Sequence, residues 1–336
     1  MPERSPAEQL HLAISALLAR SQQDSEPRLS ATVAKLLTLV RPLLDLPRPE
    51  FKARLKADLQ RRASMSEAAA PSPARAESAD FRPPGFPNIA PYFVVEGGAQ
   101  FIEFLVHAFE ASERGRYATP DGKIRHAAVA VGNSVVELGD ANDEIPARPA
   151  TTHVYVKDAD ATFARALDAG AKSIFFPTSD HPSGDRWGAL RDPFGNTWHI
   201  ATPGSWALGT PGMPRSVQPY LHLREAHKMI PFLESAFDAK VLGLHKSPDG
   251  IVHHATIEIA GATLEIDEAH GDFQPMPCLL HVYVSDPDKL YAQALRAGAS
   301  TIEPPQDKPY GERSAGVKDA FGNLWYLARY TGGPRA

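Results

Sequence analysis

Residues capable of chemistry occur in this sequence in matched pairs. His126 follows Pro120-Asp121-Gly122, and His254 follows Pro248-Asp249-Gly250. His153 and His281 each open a His-Val-Tyr-Val run. Glu137 and Glu265 sit in Val-Val-Glu-Leu and Thr-Leu-Glu-Ile. Arg186 follows Gly-Asp, Arg313 follows Gly-Glu, and Trp198-His199 is answered by Trp325-Tyr326. An imidazole exchanges a proton near neutral pH, so the histidines could act as acids, bases or ligand contacts. A guanidinium at a cavity mouth could clamp a carboxylate or phosphate. Each pair also has a structural reading. The histidines could hydrogen-bond a neighbouring strand, and each arginine could pair with the acid before it. Trp198 and Trp325 would be core or cavity wall, and Tyr92 and Tyr220 wall residues at the start of a strand. His253 adjoins His254, but adjacent strand residues point to opposite faces, so the pair is no metal clamp.

The elements that must carry these residues are repeated too. Arg186–Ala201 and Arg313–Ala328 both read as strand, Asp-x-Phe-Gly-Asn turn, strand. Before them, Pro91-Tyr92-Phe93 answers Pro219-Tyr220-Leu221, and Ala164–Ala171 answers Ala292–Ala299. The offset is 128 residues through these landmarks, and 127 at the closing hairpin (126 to 254, 153 to 281, 198 to 325). Two copies of one module are expected, over 87–205 and 215–331. Each copy reads as strand–helix–strand–strand–strand, twice. In the first, strands are expected near 88–95, 112–119, 124–132 and 134–139, then 152–157, 172–177, 185–191 and 196–202. Helices are expected over 97–110 and 159–169. Phe101, Phe104 and Leu105, then Phe163 and Leu167, give those helices apolar faces that must cover one side of a sheet. The fold class is α+β: tandem βαβββ units whose sheets curl around a cavity.

Residues 1–64 differ, with apolar residues at helical spacing, and three amphipathic helices are expected near 6–20, 28–45 and 49–63. Residues 65–86, rich in Ala, Ser, Pro and Glu, read as a linker. The 336 residues carry a net charge of −5, which calls for neither nucleic acid nor an anionic membrane as partner. The lone cysteine, Cys278, excludes a disulfide framework. No apolar run reaches the ~18 residues of a membrane span, and no signal peptide is visible, so a cytoplasmic protein is expected. No Ser-His-Asp context, phosphate-cradling loop or dinucleotide fingerprint appears.

Tyr310-Gly-Glu-Arg, Val317-Lys-Asp-Ala-Phe-Gly-Asn-Leu-Trp325, His-Val-Tyr-Val and the Ala-x-Ala-Leu-x-Ala-Gly-Ala helix end resemble the vicinal oxygen chelate superfamily of glyoxalases, bleomycin-resistance proteins and extradiol dioxygenases, nearest its PhnB-like branch. The resemblance covers residues 87–331. It implies a small-molecule ligand and, in metal-using members, one ligand from the first and last strand of each half-module. Those positions fall on Ala90, Glu137, Thr151 and His199 in the first module, and on Gln218, Glu265, Leu279 and Tyr326 in the second. If halves pair across modules, Gln218, Glu265, His199 and Thr151 make one usable set for a single divalent metal (Ni, Zn, Mn or Fe). Ala90, Glu137, Leu279 and Tyr326 make a dead one. Two readings follow. One is a glyoxalase-type lyase or isomerase, with Gln218 and His199 as ligands and Glu265 as ligand or proton carrier. The other is a metal-free protein that sequesters an amphipathic or aromatic compound, with Tyr92, His126, His153, Arg186, Trp198, Tyr220, His254, His281, Arg313 and Trp325 as contacts. Two modules in one chain allow a monomer, and a homodimer is the other expectation.

Overall fold

A computed structural model of the chain describes residues 81–180, 184–204 and 216–332. The expected helices over 6–63 lie outside them. The first described module contains β1 (Ile89–Val95), α1 (Gly98–Phe109), β2 (Ser112–Ala118), β3 (Ile124–Val131) and β4 (Ser134–Asp140). Its second half contains β5 (Thr151–Tyr155), α2 (Ala159–Asp168), β6 (Lys172–Thr178), β7 (Arg186–Arg191) and β8 (Thr197–Thr202). The second module repeats this as β9 (Val217–Leu223), α3 (Met229–Phe237), β10 (Lys240–Lys246), β11 (Val252–Ile259) and β12 (Ala262–Glu268). It closes with β13 (Leu279–Tyr283), α4 (Pro287–Arg296), β14 (Ser300–Lys308), β15 (Glu312–Lys318) and β16 (Leu324–Tyr330). The alternation of apolar residues places these boundaries within two residues of the expected ones in the first module.

Local chemistry explains the junctions. Asp158 and Asp286 cap α2 and α4 by accepting from the backbone N–H of Ala161 (3.0 Å) and Lys289 (2.9 Å). The start of α1, and the short 3-10 turn Ala226–Lys228 that leads into α3, are capped from the sheet instead. Asp140 accepts from Gly97 (3.0 Å) and Gly98 (2.7 Å), and Glu268 accepts from Glu225 (2.7 Å) and Ala226 (2.9 Å). In the closing hairpins, Gly195 (φ 91°) and Gly322 (φ 92°) occupy left-handed backbone.

Each half-module contributes half of an eight-stranded sheet, and the halves pair across modules. Sheet 1 runs β14-β15-β16-β13-β1-β4-β3-β2, and sheet 2 runs β10-β11-β12-β9-β5-β8-β7-β6. Antiparallel pairing of β1 with β13, and of β5 with β9, makes the two seams. One face of each sheet meets helices: α1 packs on α2, and α3 on α4. The core lies there, with Phe93 stacked on Trp198 at 5.3 Å and Phe237 beside Trp325 at 4.8 Å. The other face of each sheet carries the polar residues. The folded body already includes residues 81–86, where a linker was expected. Phe86 is buried edge-on to Tyr283, and the Tyr330 N–H donates to the Phe81 carbonyl at 2.9 Å.

Candidate functional site

The two sheets present related but unequal polar centres. In sheet 1, β1, β4, β13 and β16 place Ala90, His281 and Tyr326 on one rung, and Tyr92 opposite Glu137 on the next. Glu137 is fully buried. His281 Nδ1 donates to its Oε2 at 2.7 Å, His126 Nε2 lies 3.3 Å from Oε1, and the Tyr283 hydroxyl donates to Oε1 at 3.4 Å. Burial alone would raise this carboxyl's pKa, but the His281 and His126 imidazoles hold it well below the usual carboxylate range. His281 Nε2 also faces the buried Glu312 at 3.4 Å. Burial and the nearby Glu137 charge push the Tyr92 hydroxyl upward, so it stays protonated.

Above this centre lies a cavity of about 730 Å³, walled by Tyr92, Leu279, Tyr310 and Tyr326, with His126 and His281 among its polar groups. Room for it depends on Gly139. A Cβ there would stand 2.8 Å from the Tyr92 hydroxyl and 2.9 Å from the Arg125 carbonyl.

In sheet 2 the register puts Gln218, His153 and His199 on one rung, and Glu265 opposite Tyr220. This corrects one position. The fifth-strand residue level with Gln218 and His199 is His153, and Thr151 lies one rung away, its hydroxyl 3.7 Å from the Met276 sulfur. The same two-residue step puts His281, not Leu279, level with Ala90 and Tyr326. A two-residue slip keeps a side chain on the same face and leaves the apolar pattern intact, so alternation does not separate Thr151 from His153.

The side chains of sheet 2 form two groups. Glu265 accepts from His153 Nδ1 at 2.9 Å and from the Tyr155 hydroxyl at 3.4 Å, with His254 Nε2 at 3.8 Å. Burial opposes the charge on Glu265, yet His153 and His254 pull its pKa far down. Glu265 in turn raises the pKa of His254. Separately, His199 Nε2 meets His222 Nε2 at 3.3 Å, and His222 Nδ1 reaches Asp267 Oδ1 at 2.5 Å. The Tyr220 hydroxyl donates to Asp267 Oδ2 at 3.1 Å. Burial, then the neighbouring His222 and His153, lower the His199 pKa far below its ordinary value, so His199 is neutral. Phe273, Trp187 and Tyr220 pack around it at 4.8, 5.7 and 5.0 Å between ring centres.

Whether these residues suit a metal can be tested on their atoms. Among the described residues, no three His, Cys, Asp or Glu side chains converge as a metal-holding group. Gln218 Oε1 accepts from the Thr263 hydroxyl at 2.5 Å, and Glu265 is engaged by His153. The donor chemistry nevertheless fits. Four adjacent strands supply an amide oxygen, a carboxylate and two imidazoles, and the buried His153 Nε2 and His199 Nδ1 have no hydrogen-bond partner. In sheet 1 the corresponding positions hold Ala90 and Tyr326, which offer no comparable set.

Several expected contacts lie elsewhere. Trp198 and Trp325 are fully buried on the helix side and donate to Asp192 (2.8 Å) and Asp319 (2.9 Å), so neither is a cavity wall. Arg186 pairs with Asp160 (Nη2 to Oδ1, 2.6 Å) and Arg313 with Asp288 (2.6 Å). Each arginine therefore ties a hairpin to the start of a helix, and neither pairs with its preceding acid nor aims at the cavity. His222 and Asp267 join this site beyond the expected residues, and their signal in the sequence is the period-two alternation that continues from Gln218 and Glu265. Glu312 was visible only as a neighbour of Arg313.

Comparison with known proteins agrees with this architecture. The Glyoxalase/Bleomycin resistance protein/Dioxygenase superfamily matches residues 89–200 and 221–327. An uncharacterized protein of Mycobacterium bovis is 39% identical over 131 residues, spanning 35% of this chain and 84% of that protein. An uncharacterized protein of Mycobacterium tuberculosis has the same identity, over 75% of its length. Among solved structures, glyoxalase I of Zea mays superposes with a TM-score of 0.54 at 16% identity, covering 72% of this chain and 92% of that one. A PhnB protein of Bacillus cereus matches 34% of this chain and 97% of its own, with 16% identity and a TM-score of 0.29. No helix among the described residues is long and apolar enough to cross a membrane.

Proposed function

Since the chain belongs to the Glyoxalase/Bleomycin resistance protein/Dioxygenase superfamily, we propose that it binds a small aromatic or amphipathic molecule in the sheet 1 cavity, without metal chemistry there. The observation that carries this is the cavity itself. About 730 Å³ is the size of a small-molecule site, and its tyrosine walls with a few convergent polar groups are the usual composition of one. Tyr92, Tyr310 and Tyr326 offer ring faces to an aromatic guest, and Leu279 offers apolar contact. His126 lies at the rim and can hydrogen-bond a polar end of the guest. The test is calorimetric and thermal-shift titration of the purified chain against a panel of aromatic and amphipathic compounds. Binding should be lost in Leu279→Trp, which fills the cavity. A panel without hits, or hits indifferent to Leu279→Trp, would sink the proposal.

A second reading concerns sheet 2, and the two unpartnered imidazole nitrogens favour it. Here His153, His199, Glu265 and Gln218 would hold one divalent ion. Such an ion would supply Lewis-acid polarisation to a carbonyl substrate. Glu265, a buried carboxylate kept ionised by its neighbours, would be the anionic ligand of that ion. Metal analysis of the purified protein checks this, together with thermal shifts in Ni, Zn, Mn and Fe salts. A shift retained in full by His199→Ala would refute it.

A further inference from the structure

We propose that Asp267 and His222 are positioning residues that fix His199 as its Nε2–H tautomer, and so present its bare Nδ1 to a divalent cation shared with His153. The proposal rests on the metal reading of sheet 2, and its test separates the two. The chain of contacts begins at Asp267, whose carboxylate is buried and receives the Tyr220 hydroxyl on one oxygen and His222 Nδ1 on the other. A carboxylate accepts only, so His222 Nδ1 carries a proton there. With the His222 proton placed at Nδ1, its Nε2 is the acceptor, and His199 Nε2, 3.3 Å away, is the donor. A neutral His199 has one ring proton, so its Nδ1 is bare. The reverse arrangement would leave an N–H at Nδ1 with nothing to receive it, and buried orphan donors are rarer than buried orphan acceptors. His153 follows the same logic. Its Nδ1 donates to Glu265, which leaves the buried Nε2 without a partner. Two imidazoles on adjacent strands, level in register and 6.2 Å apart between ring centres, are thus each oriented by a carboxylate behind them.

Sheet 1 supplies an internal comparison. The repeat relates His199 to Tyr326, His222 to Val94 and Asp267 to Gly139. Both members of the relay are missing together where the imidazole they would orient is missing. Meanwhile Glu265 and His153, whose counterparts are Glu137 and His281, are present in both sheets. A relay serving only the sheet's stability would have no reason to track residue 199.

The experiment uses long-range ¹H–¹⁵N correlation spectra of the imidazoles in the full chain, with His199 assigned by His199→Ala. The spectra should show a protonated Nε2 and a bare Nδ1. In His222→Phe, His199 should populate both tautomers, and Ni²⁺ affinity measured by calorimetry should fall roughly 10–100-fold. In His222→Gln, whose amide oxygen can still accept from Nε2–H, the wild-type tautomer should be largely restored. Circular dichroism establishes that each variant is folded. A protonated Nδ1 in the unaltered chain, or an unchanged His199 spectrum in both His222→Phe and Asp267→Leu, overturns the positioning role. The expected tautomer in a chain that takes up no Ni²⁺ leaves the positioning role standing and removes the cation, and with it the metal reading.

Discussion

Replacing Asp192 by alanine tests how the closing hairpin of the first module is held, and with it the strand that carries His199. One carboxylate satisfies four donors. Its Oδ1 accepts from the backbone N–H of Phe194 and Asn196, each at 2.9 Å. Its Oδ2 accepts from Asn196 Nδ2 and Trp198 Nε1, each at 2.8 Å. Asn196 Oδ1 then receives the Ala150 N–H at 3.0 Å, just before β5. Asn196 and Trp198 are fully buried, so Asp192→Ala leaves donors that water cannot reach. Each orphaned donor costs about 1–3 kcal/mol. Against this stands the relief of a carboxylate whose pKa burial already pushes up, through the desolvation it suffers. The net loss is about 3–5 kcal/mol, in line with breaking a buried charged pair from one side. At roughly 2 °C per kcal/mol for a chain of this size, the melting temperature should fall by about 6–10 °C. Trp198→Phe removes one donor and leaves the turn intact, so it should cost less, about 2–3 kcal/mol from the lost bond together with the void left among Phe93, Phe101 and Phe109. Thermal melts followed by circular dichroism read both. A fall of under ~2 °C for Asp192→Ala, or a larger fall for Trp198→Phe, would refute the assignment of the hairpin's stability to this carboxylate.

Other outcomes follow from the same structure. Glu137 has a depressed pKa in the folded chain, so its stabilising effect is complete above the unfolded carboxylate value of 4.5 and is lost as pH falls below it. Acid unfolding should therefore be shallower in Glu137→Gln than in the unaltered chain, read by denaturant titration between about pH 3 and 6. Gly139→Ala drives a methyl group against the Tyr92 hydroxyl and the Arg125 carbonyl, and should cost about 1–3 kcal/mol while weakening any cavity ligand in calorimetry. Arg313→Ala should leave ligand affinity unchanged, because its guanidinium is spent on Asp288 and Asp307; a tenfold loss would restore the clamp reading. On the metal reading of sheet 2, stripping divalent ions with a chelator should lower the melting temperature of the unaltered chain and leave that of His199→Ala unmoved.

Much of the fold was legible because it is written twice. Period-two alternation around Tyr92, Glu137 and His153 marks strands with one polar face, and the second copy confirms the register of the first. The exchange of halves between modules was legible only indirectly, from a ligand set that made sense in one combination. The ligand position expected at Thr151 belongs to His153; both lie on the same face, and alternation does not say which rung of one strand meets which rung of the next. Trp198 and Trp325 were assigned to either core or cavity, and the indole N–H bonds to Asp192 and Asp319 decide for the core. For Arg186 and Arg313 the sequence leaves open a ligand clamp or a bond to the preceding acid; neighbours on a strand face away from each other, and the helix-start acids Asp160 and Asp288 receive the guanidiniums instead.

By itself the sequence determined the tandem βαβββ plan, the hairpins and the inequality of the two copies at His199 and Tyr326. These are local or repeat-borne properties, set by alternation, turn residues and identity at a fixed offset. Tertiary structure alone decided which residues share a centre. The cross-module seams bring Glu137 to His281 and Glu265 to His153, side chains more than a hundred residues apart in the chain. The same seams leave a cavity over sheet 1 and set Phe273, His222 and Trp187 around His199 on sheet 2. Open space and packed space depend on the volumes of side chains from several strands at once, and no single stretch of sequence carries that sum.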